Sequence, residues 1–129
     1  MKSARILVVD DDSAICALLE EFFVEIGHEV RTQTDANSAV ETYKSFSPHF
    51  VFLDMIMPGK SGIELLQDFL KIDNEAKVIM VSGMHDLGMA KESISLGALD
   101  YITKPIDFNF LNVFIQNQMK NLFGADKTL

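Results

Sequence analysis

Cysteine, histidine and basic residues are scarce in this chain, and long apolar runs are missing. The one cysteine, Cys16, cannot form an internal disulfide, which points to a reducing compartment and a cytoplasmic protein. The three histidines, His28, His49 and His85, lie far apart without ligand spacing, so no zinc site is expected. Eleven Lys and Arg against nineteen Asp and Glu leave a formal charge of −8, which disfavours direct contact with nucleic acid. No stretch approaches the ~18–20 apolar residues that span a bilayer, so no membrane segment is expected. The acidic triplet Asp10–Asp12 comes too early for a signal peptide. Linkers, repeats and low-complexity segments are lacking as well.

What remains is an ordinary globular mix, 48% hydrophobic and 23% charged over 129 residues, enough for one well-buried domain. Apolar runs at Arg5–Val9, Glu29–Thr34, Phe50–Leu53, Lys77–Val81 and Leu99–Ile102 predict five strands. Helical spacing predicts five helices between and after them. The first runs through Ile15, Leu18, Leu19, Phe22, Phe23 and Ile26, is capped by Asp12 or Ser13 and stops at Gly27. Cys16 falls outside that apolar stripe. The second runs from Ala36 to about Phe46, with Asp35 as cap and Ser47-Pro48 as stop. A loop at Met55–Gly62, broken by Pro58, Gly59 and Gly62, leads to a third helix carrying Ile63, Leu65, Leu66, Phe69, Leu70 and Ile72. The fourth covers Leu87–Leu96 before Gly97, and the fifth Phe108–Phe123.

In the fifth helix Leu111, Ile115, Met119 and Leu122 form one stripe expected to face the sheet. Phe110, Val113 and Phe114 lie outside it, either as an exposed partner face or as part of a broader buried one. The strand–helix alternation predicts an α/β fold, one doubly wound domain at 1–124 with a short tail at 125–129.

Ligands of an open parallel sheet bind beyond the carboxyl ends of its strands. The first residues there are Asp10, Asp11 and Asp12, then Asp54, Ser82 and Lys104. Carboxylates crowded together persist when a cation joins them or when one has a raised pKa. An all-oxygen donor set without His or Cys suits a hard cation such as Mg²⁺. Lys104 is a point charge able to pair with a carboxylate or a phosphate. A carboxylate can itself accept a phosphoryl group as an aspartyl phosphate, with metal and lysine neutralising the charge. Any one of these aspartates alone reads first as a helix cap, and it is their joint appearance that points to function; Asp12 keeps the cap reading. Gly59-Lys60-Ser61 mimics the end of a Walker A loop, but the glycine required five residues earlier is Asp54.

Four segments carry a family resemblance: ILVVDDDSAI at Ile6–Ile15, VFLDMIMPGKSG at Val51–Gly62, VSG at Val81–Gly83 and LGALDYITKPID at Leu96–Asp107. Together they resemble the receiver domain of bacterial two-component response regulators, in its chemotaxis-regulator-like form, over essentially the whole chain. The resemblance implies a flavodoxin-like (βα)5 fold with strand order 2-1-3-4-5, and a signalling switch rather than an enzyme. It implies that Asp54 accepts a phosphoryl group from a histidine kinase or phosphotransfer protein. Asp11 would bind Mg²⁺ directly, Asp10 mostly through water, with Asp54 and the backbone carbonyl of Ile56 completing the ligands. Lys104 would contact the phosphate, Ser82 would be the switch hydroxyl and Tyr101 the aromatic switch, and the Lys104–Pro105 peptide would be cis. A downstream protein or output domain would be reached through the fourth helix, fifth strand and fifth helix, with a homodimer as a further outcome of phosphorylation. No output domain is visible in the sequence.

Two positions depart from polar relatives: Ile56, two residues after Asp54, and Met84, two after Ser82. Neither can hold an attacking water, so a long-lived phosphate is expected. His85 follows Ser82 closely enough to approach the site. The alternative is a Mg²⁺-dependent phosphatase working through an aspartyl phosphate. The haloacid-dehalogenase class places an acid/base two residues after its nucleophile, and here Ile56 stands there.

Overall fold

Three of the five strands are buried almost end to end, which is why they read as unbroken apolar runs. The computed structural model describes residues 2–124, and the tail expected at 125–129 lies outside the described residues. The elements are β1 (Arg5–Val9), α1 (Ser13–Glu25), β2 (Glu29–Gln33), α2 (Ala36–Phe46), β3 (Phe50–Asp54), α3 (Gly62–Ile72), β4 (Val78–Ser82), α4 (Leu87–Ser95), β5 (Asp100–Thr103) and α5 (Phe108–Phe123). All strand pairs are parallel, in the order β2-β1-β3-β4-β5. This is the expected flavodoxin-like arrangement, with boundaries within a residue or two of the sequence reading.

Side-chain alternation along the strands builds two cores. Leu7, Val9, Val51, Leu53, Val78 and Met80 join Ala39, Leu65, Phe69 and Ala90 from α2, α3 and α4. Ile6, Val8, Phe50, Phe52, Ile79 and Val81 join Leu19 and Phe23 of α1 and Leu111 and Ile115 of α5. Each fully buried side chain of this size contributes roughly 1.5–3 kcal/mol. The helices leave the strand ends under side-chain caps: Asp12 accepts from Ala14 N–H, Asp35 from Asn37 N–H and Asp107 from Asn109 N–H. At α3 the cap is reciprocal, with Ser61 and Glu64 each bonding the other's backbone.

One expectation is corrected, one open alternative is decided and one element is new. The buried stripe of α1 is Cys16, Leu19 and Phe23, so Cys16 lies inside it and Leu18, 51% exposed, lies outside. A rotation of under one residue about the helix axis separates the two readings. In α5, Phe114 is buried beside Leu111 and Ile115, while Phe110 and Val113 are exposed. Leu111, Phe114 and Ile115 stand at i, i+3 and i+4, one contiguous face. A 3-10 turn at Met84–Asp86, unforeseen from the sequence, precedes α4. Among the described residues no helix is long and apolar enough to cross a membrane.

Candidate functional site

β1 and β3 are neighbours in the sheet, so the acidic residues that follow their apolar runs meet at one edge. Asp10 and Asp54 are buried and Asp11 is exposed, and one carboxylate oxygen from each lies within 4.8 Å of the others. Asp10 Oδ1 accepts the Asp12 backbone N–H at 2.9 Å, which fixes the carboxylate against the start of α1. Cys16, buried one turn into that helix, donates its thiol to the Asp10 carbonyl at 3.2 Å. Burial first, then the Asp10 charge, pushes that thiol up to about 11, so it is a packing group and not a nucleophile.

Lys104 reaches the acids from the end of β5. Its ammonium stands 3.0 Å from Asp10 Oδ2 and donates a hydrogen bond to Asp54 Oδ1 at 3.3 Å. Lys104 N–H also donates to the Ser82 carbonyl at 2.8 Å, and the Lys104–Pro105 peptide is cis, as the family pattern implied. Burial alone would lower the Lys104 pKa, but the closeness of Asp10 and then Asp54 outweighs it, and the net shift is upward. For Asp54, burial and the like charge of Asp10 raise the carboxyl to about 6 despite the neighbouring Lys104. Two buried carboxylates therefore share a single ammonium.

That shortfall is the fit test for a cation. Asp10 Oδ2 is buried and makes no aligned hydrogen bond, only the ion contact with Lys104. A buried carboxylate oxygen whose only partner is a shared ammonium, beside two other carboxylates in an all-oxygen set, suits a hard divalent ion such as Mg²⁺. Asp10, Asp11 and Asp54 supply the side-chain donors, and the Ile56 carbonyl lies in the backbone two residues beyond the end of β3.

Ser82 ends β4, fully buried, with its hydroxyl donating to the Gly83 carbonyl at 3.0 Å. β3 and β4 pair directly through Asp54 and Val81, which puts Ser82 at the same edge as the acids. Tyr101 lies on β5, half-buried against the α2–α3–α4 core, two residues before the strand's end. Ile56 and Met84 are both exposed, and His85 is exposed within the Met84–Asp86 turn. From sequence Gly62 reads only as a loop breaker. In the structure it abuts the Asp54–Met55 backbone, a contact between residues eight apart that no local pattern signals.

Beyond this edge, a groove of about 460 Å³ runs along β5 and the start of α5, lined by Tyr101, Thr103, Ile106 and Phe110 among others. The exposed apolar residues Ile94, Leu99 and Val113 lie on the α4, β5 and α5 side of the molecule.

Comparison with known proteins gives one consistent result. The family model described as the response regulator receiver domain matches residues 6–116. The chemotaxis protein CheY of Thermotoga maritima is 38% identical over 78% of this chain and 85% of its own length. Sporulation initiation phosphotransferase F of Bacillus subtilis is 36% identical over 84% of this chain and 88% of its own. The crystal structure of the receiver domain of NtrX from Brucella abortus superposes with a TM-score of 0.84 at 35% identity, covering 89% of this chain and 98% of that one. In a longer NtrX chain from the same organism the matched part is 27% of the whole.

Proposed function

The chain belongs to the response regulator receiver domain family, and on that premise we propose that it is a phosphoacceptor switch charged at Asp54. Receiver domains are signalling modules of two-component systems, working with histidine kinases and with output domains. The observation that carries the assignment is the edge cluster, in which one ammonium serves two buried carboxylates.

The Asp54 carboxylate attacks the phosphorus of a phosphohistidine or small acyl phosphate. A P–O bond forms at Asp54 as the bond to the donor breaks: the P–N bond of a phosphohistidine, whose imidazole leaves neutral with a proton from solvent, or the P–O bond of an acyl phosphate, whose carboxylate leaves as the anion. Lys104, already within reach of Asp54, neutralises charge on the transferred group's oxygens. Asp10, Asp11, Asp54 and the Ile56 carbonyl would hold Mg²⁺, which supplies further positive charge to those oxygens when bound. Ser82 donates its hydroxyl to the phosphoryl group, giving up its bond to the Gly83 carbonyl; its burial at the end of β4, at the same edge as Asp54, supports this role. Tyr101, on the strand beside it, carries that change to the α4–β5–α5 surface. The groove lined by Tyr101, Ile106 and Phe110, with Val113 exposed nearby, supports that surface as the site for a downstream protein, an output domain or a second phosphorylated copy.

The chain thus assists its own phosphorylation without being an enzyme on a separate substrate, within a receiver unit at 1–124, in a cytoplasmic setting. The test is incubation with acetyl phosphate and Mg²⁺, followed by intact-mass analysis. One phosphoryl group should be gained, Asp54→Asn should gain none, and Asp11→Ala should lose the Mg²⁺ dependence along with most of the uptake. Full labelling of Asp54→Asn would overturn the assignment.

A further inference from the structure

Gly62 opens α3 and carries no reacting group. Its φ is not positive, so backbone conformation alone does not call for glycine there. Space does. A Cβ at position 62 would stand 2.5 Å from the Asp54 carbonyl oxygen, 2.8 Å from Met55 Cα and 2.9 Å from the Met55 carbonyl oxygen. All three are backbone atoms of the segment that bears Asp54, so no side-chain rotation relieves the clash.

The same segment is gripped from both flanks. Gly62 N–H donates to the Met55 carbonyl at 2.9 Å, and Met55 N–H donates to the Val81 carbonyl of β4 at 3.0 Å. The loop between β3 and α3 is further tied to its helix by the Ser61–Glu64 capping box and by the Lys60–Asp68 ion pair. The first residue of α3 is therefore pressed on the peptide that follows Asp54, and nothing in that wedge is soft.

We infer that Gly62 is a positioning residue: by lacking a side chain it lets α3 set where the Asp54 carboxylate and the Ile56 carbonyl stand relative to Asp10 and Asp11. The inference rests on the reading of Asp54 as phosphoacceptor and extends it to a residue outside the charged cluster. Any side chain at 62 pushes either α3 outward or the Asp54–Met55 backbone inward. Asp10 and Asp11 come just after the end of β1, where Asp10 is held by its own bonds to Gln33 and Asp12, so they do not move with it, and the mutual spacing of the three carboxylates is lost. Groups that orient metal ligands typically cost 10–100-fold in affinity when changed. A misplacement of about 1 Å at reacting atoms can cost about 100-fold in rate.

Gly97 provides the control. It sits in the turn before β5, at the opposite edge of the sheet, with φ of 112° and a would-be Cβ 2.8 Å from Leu70 Cδ1. Gly62→Ala and Gly97→Ala should both lower the melting temperature. Only Gly62→Ala should weaken Mg²⁺ binding, by about tenfold in calorimetry of the unphosphorylated protein, and slow phosphorylation by acetyl phosphate by about 100-fold. If Gly62→Ala matches Gly97→Ala within twofold in both readouts, Gly62 is packing alone and the inference fails. Should Gly62→Ala not fold, the double variant Lys60→Ala, Ser61→Ala loosens the grip of α3 without adding atoms. Weaker Mg²⁺ binding in it supports the inference, and unchanged binding overturns it. A parent protein that takes no phosphate would overturn the reading of Asp54, while the Mg²⁺ comparison would still decide the role of Gly62.

Discussion

The two edges of one sheet are built on opposite terms. At the amino edge His28 Nδ1 accepts the Ala4 N–H at 3.1 Å and His49 Nδ1 accepts the Arg5 N–H at 2.9 Å. Arg5 Nε in turn donates to the carbonyls of Phe46 and Ser47 at the end of α2. Each of these groups meets a partner of complementary character, and the partners come from distant parts of the chain. At the carboxyl edge Asp10 and Asp54 stand together, buried, with Lys104 as their shared counter-charge and with Asp11 beside them. The strands are common to both edges, so the difference comes from the residues placed just past their ends. The amino edge secures the chain, and the carboxyl edge holds charge in a state that a bound cation or phosphoryl group improves.

The largest effect should come from removing the one ammonium. Lys104→Met leaves two buried carboxylates uncompensated, and breaking a buried pair in this way costs about 3–5 kcal/mol, toward the lower end here because the Lys104 side chain is 28% exposed. Urea unfolding in EDTA at pH 7.5 should show that loss, and saturating Mg²⁺ should restore part of it by charge replacement. An equal loss with and without Mg²⁺ would mean that the destabilisation is packing and that the two edges differ less than their charges suggest.

The amino edge gives the next effect. His28→Ala leaves the buried Ala4 N–H without an acceptor, at a cost of about 1–3 kcal/mol. The pH dependence follows from the same bonds. Burial lowers the pKa of His28 below its ordinary 6.5, and burial followed by the charges of Arg5 and Lys77 does so for His49. The folded state then binds fewer protons than the unfolded one, so this stability is present above pH 6.5 and is lost as pH falls toward the folded values. Asp54, raised to about 6, titrates nearby with the opposite sign, so the comparison belongs in an Asp54→Asn background. There, stability should fall between pH 7.5 and 5.5, and the fall should shrink in His28→Ala. An unchanged slope would remove His28 from the account.

The carboxyl edge was the more legible of the two. Apolar runs of a parallel sheet end abruptly, so Asp10, Asp54, Ser82 and Lys104 could be placed at one edge from their position alone. Caps at Asp12 and Asp35 were legible for the same local reason. What stayed hidden depends on rotation or on contacts distant in sequence. Cys16 and Leu18 exchange places through a small turn of α1, and Phe114 is buried because α5 faces the sheet over a wider arc than its regular stripe implies. The amino-edge histidines were legible only as lacking ligand spacing, since their partners lie 24 and 44 residues away. The pinch at Gly62 was equally invisible, because the clash is with backbone that the loop brings back.

The smallest effect concerns how long the carboxyl edge stays charged. Hydrolysis of an aspartyl phosphate needs a water placed in line with the phosphorus. A polar side chain two residues after Asp54 or two after Ser82 could hold it, and Ile56 and Met84 offer no hydrogen bond there. Both side chains are exposed, 54% for Ile56 and 67% for Met84, so polar replacements bury no new group and should leave the fold intact. The double variant Ile56→Asn, Met84→Glu should therefore lose phosphate faster than the parent once the donor is removed. A tenfold change corresponds to only ~1.4 kcal/mol of barrier, well below the cost expected for Lys104→Met. The sign is the informative part, because the added carboxylate of Met84→Glu also brings a negative charge toward an anionic site and opposes attack unless it positions the water. Faster decay means that water placement limits the lifetime. Decay no faster than the parent's means that Lys104 and the acids around it already set the rate, and that the apolar residues flanking the site are spectators.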